Sequence, residues 1–283
     1  MNRKLVLSIN CPDQTGLVSS VSEFIYKAPA TIVEASHHTD LEERRFFMRH
    51  EIELLDQNKS VADVRSEFQS LADKFDMEWK LTDRSEKKKL VLLATSQSHC
   101  LVDILHRWKQ GELDCDIPCI IANHPEMQEY ADWFNVPFHF IDFKQADADP
   151  FAEIDQLIEK YQADVVGLAR FMRIFPGHLC AKYAGKIINI HHSFLPSFAG
   201  AKPYHKAYQK GVKLIGATCH YVTEDLDEGP IIEQDVLRIN HSDTIGDMIR
   251  KGKECEKAAF ARGLRYHLED RIAVFNNKTI VFS

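Results

Sequence analysis

The chain has 283 residues, 45% hydrophobic and 27% charged, with 42 acidic residues against 35 basic ones for a formal net charge of −7. That length suits two ordinary domains, and that mixture suits a packed core rather than wholesale disorder. The acidic balance argues against a dedicated nucleic-acid binder, and no apolar run approaches the ~20 residues of a membrane-spanning helix. The first apolar stretch, Leu5–Ile9, is too short for a signal-peptide core and reads as a strand, so a cytoplasmic protein is expected. Seven cysteines are odd in number and irregularly spaced; Cys115 and Cys119 form one close pair and no second pair completes a zinc site, so reduced thiols are expected.

In chain order, Leu5–Ile9 is followed by a turn-rich loop, Asn10 to Gly16, and then by apolar residues at helical spacing (Leu17, Val18, Val21, Phe24, Ile25). Two strands are predicted at 30–35 and 46–55, joined through Asp40–Glu43. Ser60 and Asp63 have the spacing of a capping box ahead of a second helical stripe, Val61, Val64, Phe68 and Leu71. A last strand over 76–81 completes the order βαββαβ, a ferredoxin-like domain assigned to residues 1–84. His37 and His38 read as strand residues of that sheet. The polar stretch Asp83–Lys89 reads as a linker.

From Leu90 the pattern changes. Strands are predicted at 90–94, 117–122, 138–141, 164–169 and 185–190. Helical stripes lie between them at Leu101–Trp108, Met127–Phe134 and Ile154–Tyr161, followed later by a long helix opening at Thr244 and Asp247. Such alternation predicts a Rossmann-like, doubly wound α/β domain over 85–283, closed by a hairpin at 272–282 that turns at Asn276–Asn277. Ligands of such sheets bind at the carboxyl ends of strands, just after Ala94, Ala122, Ala169 and Ile190.

The densest polar cluster is there: Asn189-Ile190-His191-His192-Ser193-Phe194-Leu195-Pro196. Asn189 and His191 share one strand face, with His192 expected on the other. An amide donor beside an imidazole suits a carbonyl reaction, the amide for a developing oxyanion and the imidazole for a proton. A strand-end His satisfied by backbone is the plainer reading. Downstream, Glu224, Asp225, Asp227 and Glu228 precede Gly229-Pro230. Spacing leaves open whether this is a solvated turn or whether one carboxylate orients a His or a water.

Taken together, Asn-x-His-x-Ser-x-Leu-Pro followed about 35 residues later by Leu-Asp-x-Gly-Pro-Ile-Ile resembles the folate-dependent formyltransferase superfamily. That superfamily includes glycinamide ribonucleotide transformylases, methionyl-tRNA formyltransferases and formyltetrahydrofolate deformylases. Echoes are Asp164–Ile174 and Gly216–Val222. The resemblance implies Asn189, His191 and Asp227 as catalytic residues, Phe171, Met172, Arg173, Ile174, His192 and Gly229 as folate-pocket residues, and no metal or cofactor beyond the folate substrate. Asp13-Gln14-Thr15-Gly16-Leu17-Val18 after a first strand resembles the opening loop of an ACT domain. That implies a regulatory amino-acid site using Asp13, Thr15, Gly16 and Leu17, with glycine and methionine as candidate effectors, and a homo-oligomer, a tetramer of paired dimers.

An ACT domain ahead of a formyltransferase domain is similar to the deformylase architecture. The loop Thr95–Cys100 lacks the glycines of the transformylase phosphate loop, and an acidic chain lacks the basic extra domain of a tRNA formyltransferase. The resemblance therefore implies hydrolysis of 10-formyltetrahydrofolate, supplying formate for purine synthesis and balancing folate pools, with no nucleic-acid or membrane partner. Lys202-Pro203-Tyr204-His205 is expected to close off the site. A formyltransferase to an amine and a non-catalytic folate or amino-acid sensor are the competing readings.

Overall fold

A computed structural model describes residues 3–56, 58–145, 149–197 and 203–282. Two compact units divide the chain: Met1–Lys87 with Glu269–Phe275 and Thr279–Ser283, and Lys88–Leu268 with Asn276–Lys278. The first runs β1 (Arg3–Pro12), α1 (Leu17–Lys27), β2 (Ala30–Asp40), β3 (Arg45–Leu54), α2 (Val61–Lys74), β4 (Glu78–Asp83). Its antiparallel sheet has the order β2-β3-β1-β4, the ferredoxin-like arrangement expected from βαββαβ. Alternate residues of β1 and β3, including Leu5, Leu7, Ile9, Met48 and Ile52, bury one sheet face with Val21, Ile25, Val64 and Phe68 of the two helices. Gly16 caps α1 at φ 91°, a left-handed conformation that glycine adopts without a Cβ penalty.

The capping box of α2 forms as predicted. Asp63 N donates to Ser60 Oγ at 3.1 Å and Ser60 N donates back to Asp63 Oδ2 at 2.9 Å. Ser60→Ala removes one of these and is expected to cost about 1 kcal/mol, read as a lower urea or thermal midpoint with the secondary-structure content unchanged. A midpoint equal to wild type would mean that the helix start is held by other contacts.

The second unit runs β5 (Lys88–Ala94), α3 (His99–Lys109), β6 (Cys115–Asp116), β7 (Ile120–Ala122), α4 (Gln128–Phe134), β8 (Phe138–Phe140), α5 (Pro150–Lys160), β9 (Val165–Ala169), α6 (Gly177–Lys182), β10 (Ile187–His191), α7 (Pro203–Lys210), β11 (Leu214–Tyr221), β12 (Ile231–Arg238), α8 (Ile245–Leu268). The sheet order is β12-β11-β10-β9-β5-β7-β8, with β6 beside β5. β10, β9, β5, β7 and β8 are parallel, and the apolar runs of β5, β7 and β9 follow from burial on both faces. The sequence predicts one strand over 117–122, and beyond residue 190 it offers a turn between two strands around the acidic cluster as one of two open readings. The structure shortens that strand to β7, sets β6 just before it, and adds β11 antiparallel to β10 and β12 antiparallel to β11, which makes the sheet mixed. The strand order turns at β5/β9, so residues leaving these strands and β10 share one rim.

The C-terminal hairpin β13 (Ile272–Phe275) and β14 (Lys278–Val281) forms around Asn276–Asn277. The sequence reading places all of 85–283 in the second domain. Instead, Glu269–Phe275 and Thr279–Ser283 belong to the first unit. The physical reason is Arg49, buried on β3, whose guanidinium donates to the Glu269 and Asp270 carbonyls at 3.1 Å each. A buried guanidinium needs acceptors for its donors, and the end of the chain supplies two of them. Phe275 adds an edge contact to Phe47, ring centroids 6.0 Å apart.

Candidate active site

A cavity of about 360 Å³ opens at the carboxyl ends of β9 and β10. β10 delivers Asn189 and His191 to it, and the loop after β11 delivers Asp227. Asp227 sits in the left-handed region at φ 59°, which turns its carboxylate back toward the strand. Two residues on, Gly229 passes so close to β11 that a Cβ there would overlap the Tyr221 carbonyl oxygen. Gly229 therefore shapes the loop rather than lining the cavity, and Tyr221 N closes it by donating to Pro230 O at 3.0 Å.

His191 is buried, and its Nδ1 lies 3.2 Å from Asp227 Oδ1. Its Nε2 has no hydrogen-bond partner among the described residues. A carboxylate accepts, so the Nδ1 proton points at Asp227 and Nε2 is the nitrogen left for a substrate. Burial alone would raise the Asp227 carboxyl; the hydrogen bond and charge of His191 and the charges of His220 and His192 outweigh it and hold the group below its ordinary value.

Asn189 is fixed by His220, a residue for which the sequence suggested no role. His220 Nδ1 lies 2.8 Å from the Tyr221 carbonyl, which can only accept, so its Nε2 is the acceptor for Asn189 Nδ2 at 3.2 Å. Burial lowers the His220 pKa and favours this neutral ring. One amide hydrogen and the Oδ1 of Asn189 remain for a ligand. The signal in the sequence was a polar ring ending a run of buried residues in a strand, with Thr218 two residues before on the same face.

His192 is expected on the opposite side of the strand, yet it lines the same cavity. β10 ends at His191, so the alternation stops there and the two imidazoles face each other, centroids 5.2 Å apart. Burial, with the nearby charges of Arg170 and His191, lowers the His192 pKa to about 4. Met172, Arg173 and Ile174 line the mouth, with Met172 and Ile174 exposed. Phe171 does not reach it. Its ring is buried in the core against Phe143 and Phe175, centroids 5.8 and 6.2 Å apart. The cluster of four acids resolves into Glu224, Asp225 and Asp227 on the cavity wall, while the Glu228 carbonyl accepts from Asn277. Lys202 lies outside the described residues.

Among the described residues, His99, Cys100 and Glu256 bring three potential metal donors within 4.8 Å. The set does not suit a cation. Glu256 already faces the Arg170 guanidinium at 3.3 Å, and burial pushes the Cys100 thiol well above its ordinary value. In the first unit, a separate hollow of about 470 Å³ is bordered by Asp13, Gln14, Gly16, Leu17, Ser19 and Phe46; Thr15 is on the same loop but does not border it. Elsewhere in the first unit, His37 and His50 meet on neighbouring strands through their Nε2 atoms at 2.8 Å, a pairing within the sheet. All seven cysteines are buried and free.

A mixed sheet presenting an amide, an imidazole and a carboxylate at its rim defines a site for addition to a carbonyl. Residues 88–264 match the family described as formyl transferase. Over nearly the whole chain, a formyltetrahydrofolate deformylase of Bacillus subtilis is 44% identical, covering 98% of this chain and 93% of that protein. One of Synechocystis is 43% identical, covering 100% and 99%. The crystal structure of a deformylase of the same name from Pseudomonas syringae pv. tomato superposes with a TM-score of 0.96 at 52% identity, covering 100% of this chain and 95% of that one. The chain belongs to the formyl transferase family, in its formyltetrahydrofolate deformylase branch, and is an enzyme.

Proposed function

We propose that the protein hydrolyses 10-formyltetrahydrofolate to formate and tetrahydrofolate, with Asn189, His191 and Asp227 as its catalytic residues. The observation that carries this reading is the His191–Asp227 pair at 3.2 Å with Asn189 beside it, in a cavity whose mouth offers Met172, Arg173 and Ile174 to the folate. The formyl oxygen lies against the Asn189 amide and His191 Nε2. Water adds to the formyl carbon, and charge builds on that oxygen, where a protonated His191 and Asn189 meet it. Collapse breaks the bond from the formyl carbon to the folate nitrogen. His191 gives its Nε2 proton to that nitrogen and takes one proton of the added water in its place, and the other water proton leaves with formic acid, which ionises. Asp227 holds the His191 Nδ1 proton throughout and supports the imidazolium. The reading needs no metal and no cofactor. Its product formate serves purine synthesis and the folate balance. Asp13, Gly16 and Leu17 border the hollow proposed for an amino-acid effector in an ACT-like first unit, with Thr15 on the same loop, and such units pair into a cytoplasmic homo-oligomer, a tetramer.

The test is formate release from 10-formyltetrahydrofolate by the purified protein with no amine present. Formate and tetrahydrofolate in equal amounts are expected. Release that begins only when an amine is added would make the protein a transferase, and folate binding without turnover would make it a sensor.

A further inference from the structure

Open α/β sheets take their ligands where the strand order turns, and in the second unit that point is β5/β9. It is filled by side chains of the chain itself. Glu256 of α8, 2% exposed, accepts from Tyr204 Oη at 2.8 Å and bonds His99 Nε2 at 2.7 Å. Arg170 Nε lies 3.3 Å from the same carboxylate, and the Arg170 side chain is 13% exposed. Tyr204 of α7, His99 at the start of α3 and Arg170 just after β9 thus converge on one carboxylate of α8. α8 makes room for Tyr204 with Gly252, where a Cβ would overlap the tyrosine hydroxyl. Although burial alone would raise the Glu256 carboxyl, the His99 hydrogen bond and the Arg170 charge outweigh it and hold the group below its ordinary value.

Two features of Arg170 are not explained by packing. Its backbone is left-handed, φ 62°, a region that favours glycine and is uncommon for a long side chain. Its Nε, which only ion-pairs with Glu256, and its Nη1 are both buried without a hydrogen-bond partner among the described residues. Both carry a cost, and strain of this sort persists where the surroundings impose it for function. The guanidinium borders the catalytic cavity beside His191 and His192.

We infer that Arg170 is a specificity-determining residue: locked to Glu256, it plugs the crevice through which a second, amine-bearing substrate would reach the formyl carbon, so that water is the only acceptor. The inference rests on the deformylase reading and deepens it. A barrier against the wrong acceptor gives specificity as effectively as a contact to the right one. Without Arg170, Glu256 keeps its bonds to Tyr204 and His99 but loses its guanidinium partner, and an ammonium group is the natural replacement. In the transfer that follows, the amine nitrogen bonds the formyl carbon and loses a proton, and the folate nitrogen leaves with a proton, as in the hydrolysis.

The experiment compares wild type with Arg170→Gly, which suits the left-handed backbone, and with Arg170→Asn, which tolerates it and keeps some volume; circular dichroism confirms the fold of each. Glycinamide, a weakly basic primary amine, is the probe. Its binding is followed by ligand-observed NMR without folate, and its formylation by mass spectrometry with 10-formyltetrahydrofolate. Arg170→Gly is expected to bind glycinamide where wild type does not, and to raise the ratio of formylglycinamide to formate by at least about tenfold, the scale of a single steric discrimination. Binding by wild type, or binding by neither variant when either one is folded, overturns the inference. A wild type that releases no formate would sink the deformylase reading, while the binding contrast would still decide whether Arg170 closes the crevice.

Discussion

Asp227→Asn is expected to lower kcat by about 10³-fold or more while leaving KM for the folate within a few-fold. An asparagine keeps the shape of the side chain but presents an amide that can donate as well as accept, and it carries no charge. His191 then loses the anion 3.2 Å from its Nδ1, so the tautomer and the imidazolium that the reaction uses are no longer favoured. Replacing the carboxylate of such a pair by its amide costs on the order of 10⁴ in a serine protease triad. The pH profile carries a second readout. Asp227 is held below the ordinary carboxylate range, so it stays ionised through neutral pH and its contribution fails only as pH falls through its lowered pKa. In the variant the acid limb that belongs to Asp227 disappears, because position 227 no longer carries a carboxyl. An Asp227→Asn enzyme within tenfold of wild type would remove Asp227 from the chemistry.

Asn189→Ala is expected to reduce kcat by about 10²–10³-fold, the usual effect of removing one preorganised donor to a developing oxyanion. Asn189 has one amide hydrogen committed to His220 Nε2 at 3.2 Å, so the other is aimed rather than free to rotate. The same bond gives a control. His220→Ala leaves the amide in place but unanchored, so its loss of rate should be smaller than that of Asn189→Ala and not additive with it, since the two act as a unit. Rates are read as formate release under saturating folate. Full activity in Asn189→Ala would place the oxyanion elsewhere in the cavity.

Much of the scaffold was legible because local rules agreed with the fold. Leu90–Ala94 and Val165–Ala169 are apolar throughout because both faces of a central parallel strand are covered, and that pattern is visible in one dimension. Ser60 and Asp63 announced their helix because a capping box closes within four residues. β11 and β12 were harder to read, since β11 pairs with β10 across some 30 residues of chain and β12 pairs only with β11. Strand alternation alone would set His192 on the far side, but β10 ends at His191 and the chain has already turned. Phe171, set among pocket residues by resemblance, turned inward because its aromatic neighbours Phe143 and Phe175 supply a better burial than the cavity mouth.

By itself the sequence determined the two folding patterns, the loop and strand carrying Asn189 and His191, and the acidic loop holding Asp227. Each is encoded by residues close together along the chain, where spacing dictates which side a residue takes. What only the tertiary structure decided was convergence. It chose Asp227 from four acids by the left-handed turn that aims its carboxylate. It brought His220 to Asn189 and gathered Glu256, His99, Tyr204 and Arg170 from four separate elements. It also returned Glu269–Phe275 to the first unit, under Arg49. A buried carboxylate or guanidinium has to be satisfied in three dimensions, by whichever donors and acceptors packing brings within about 3 Å, and no spacing along the chain records who those partners are.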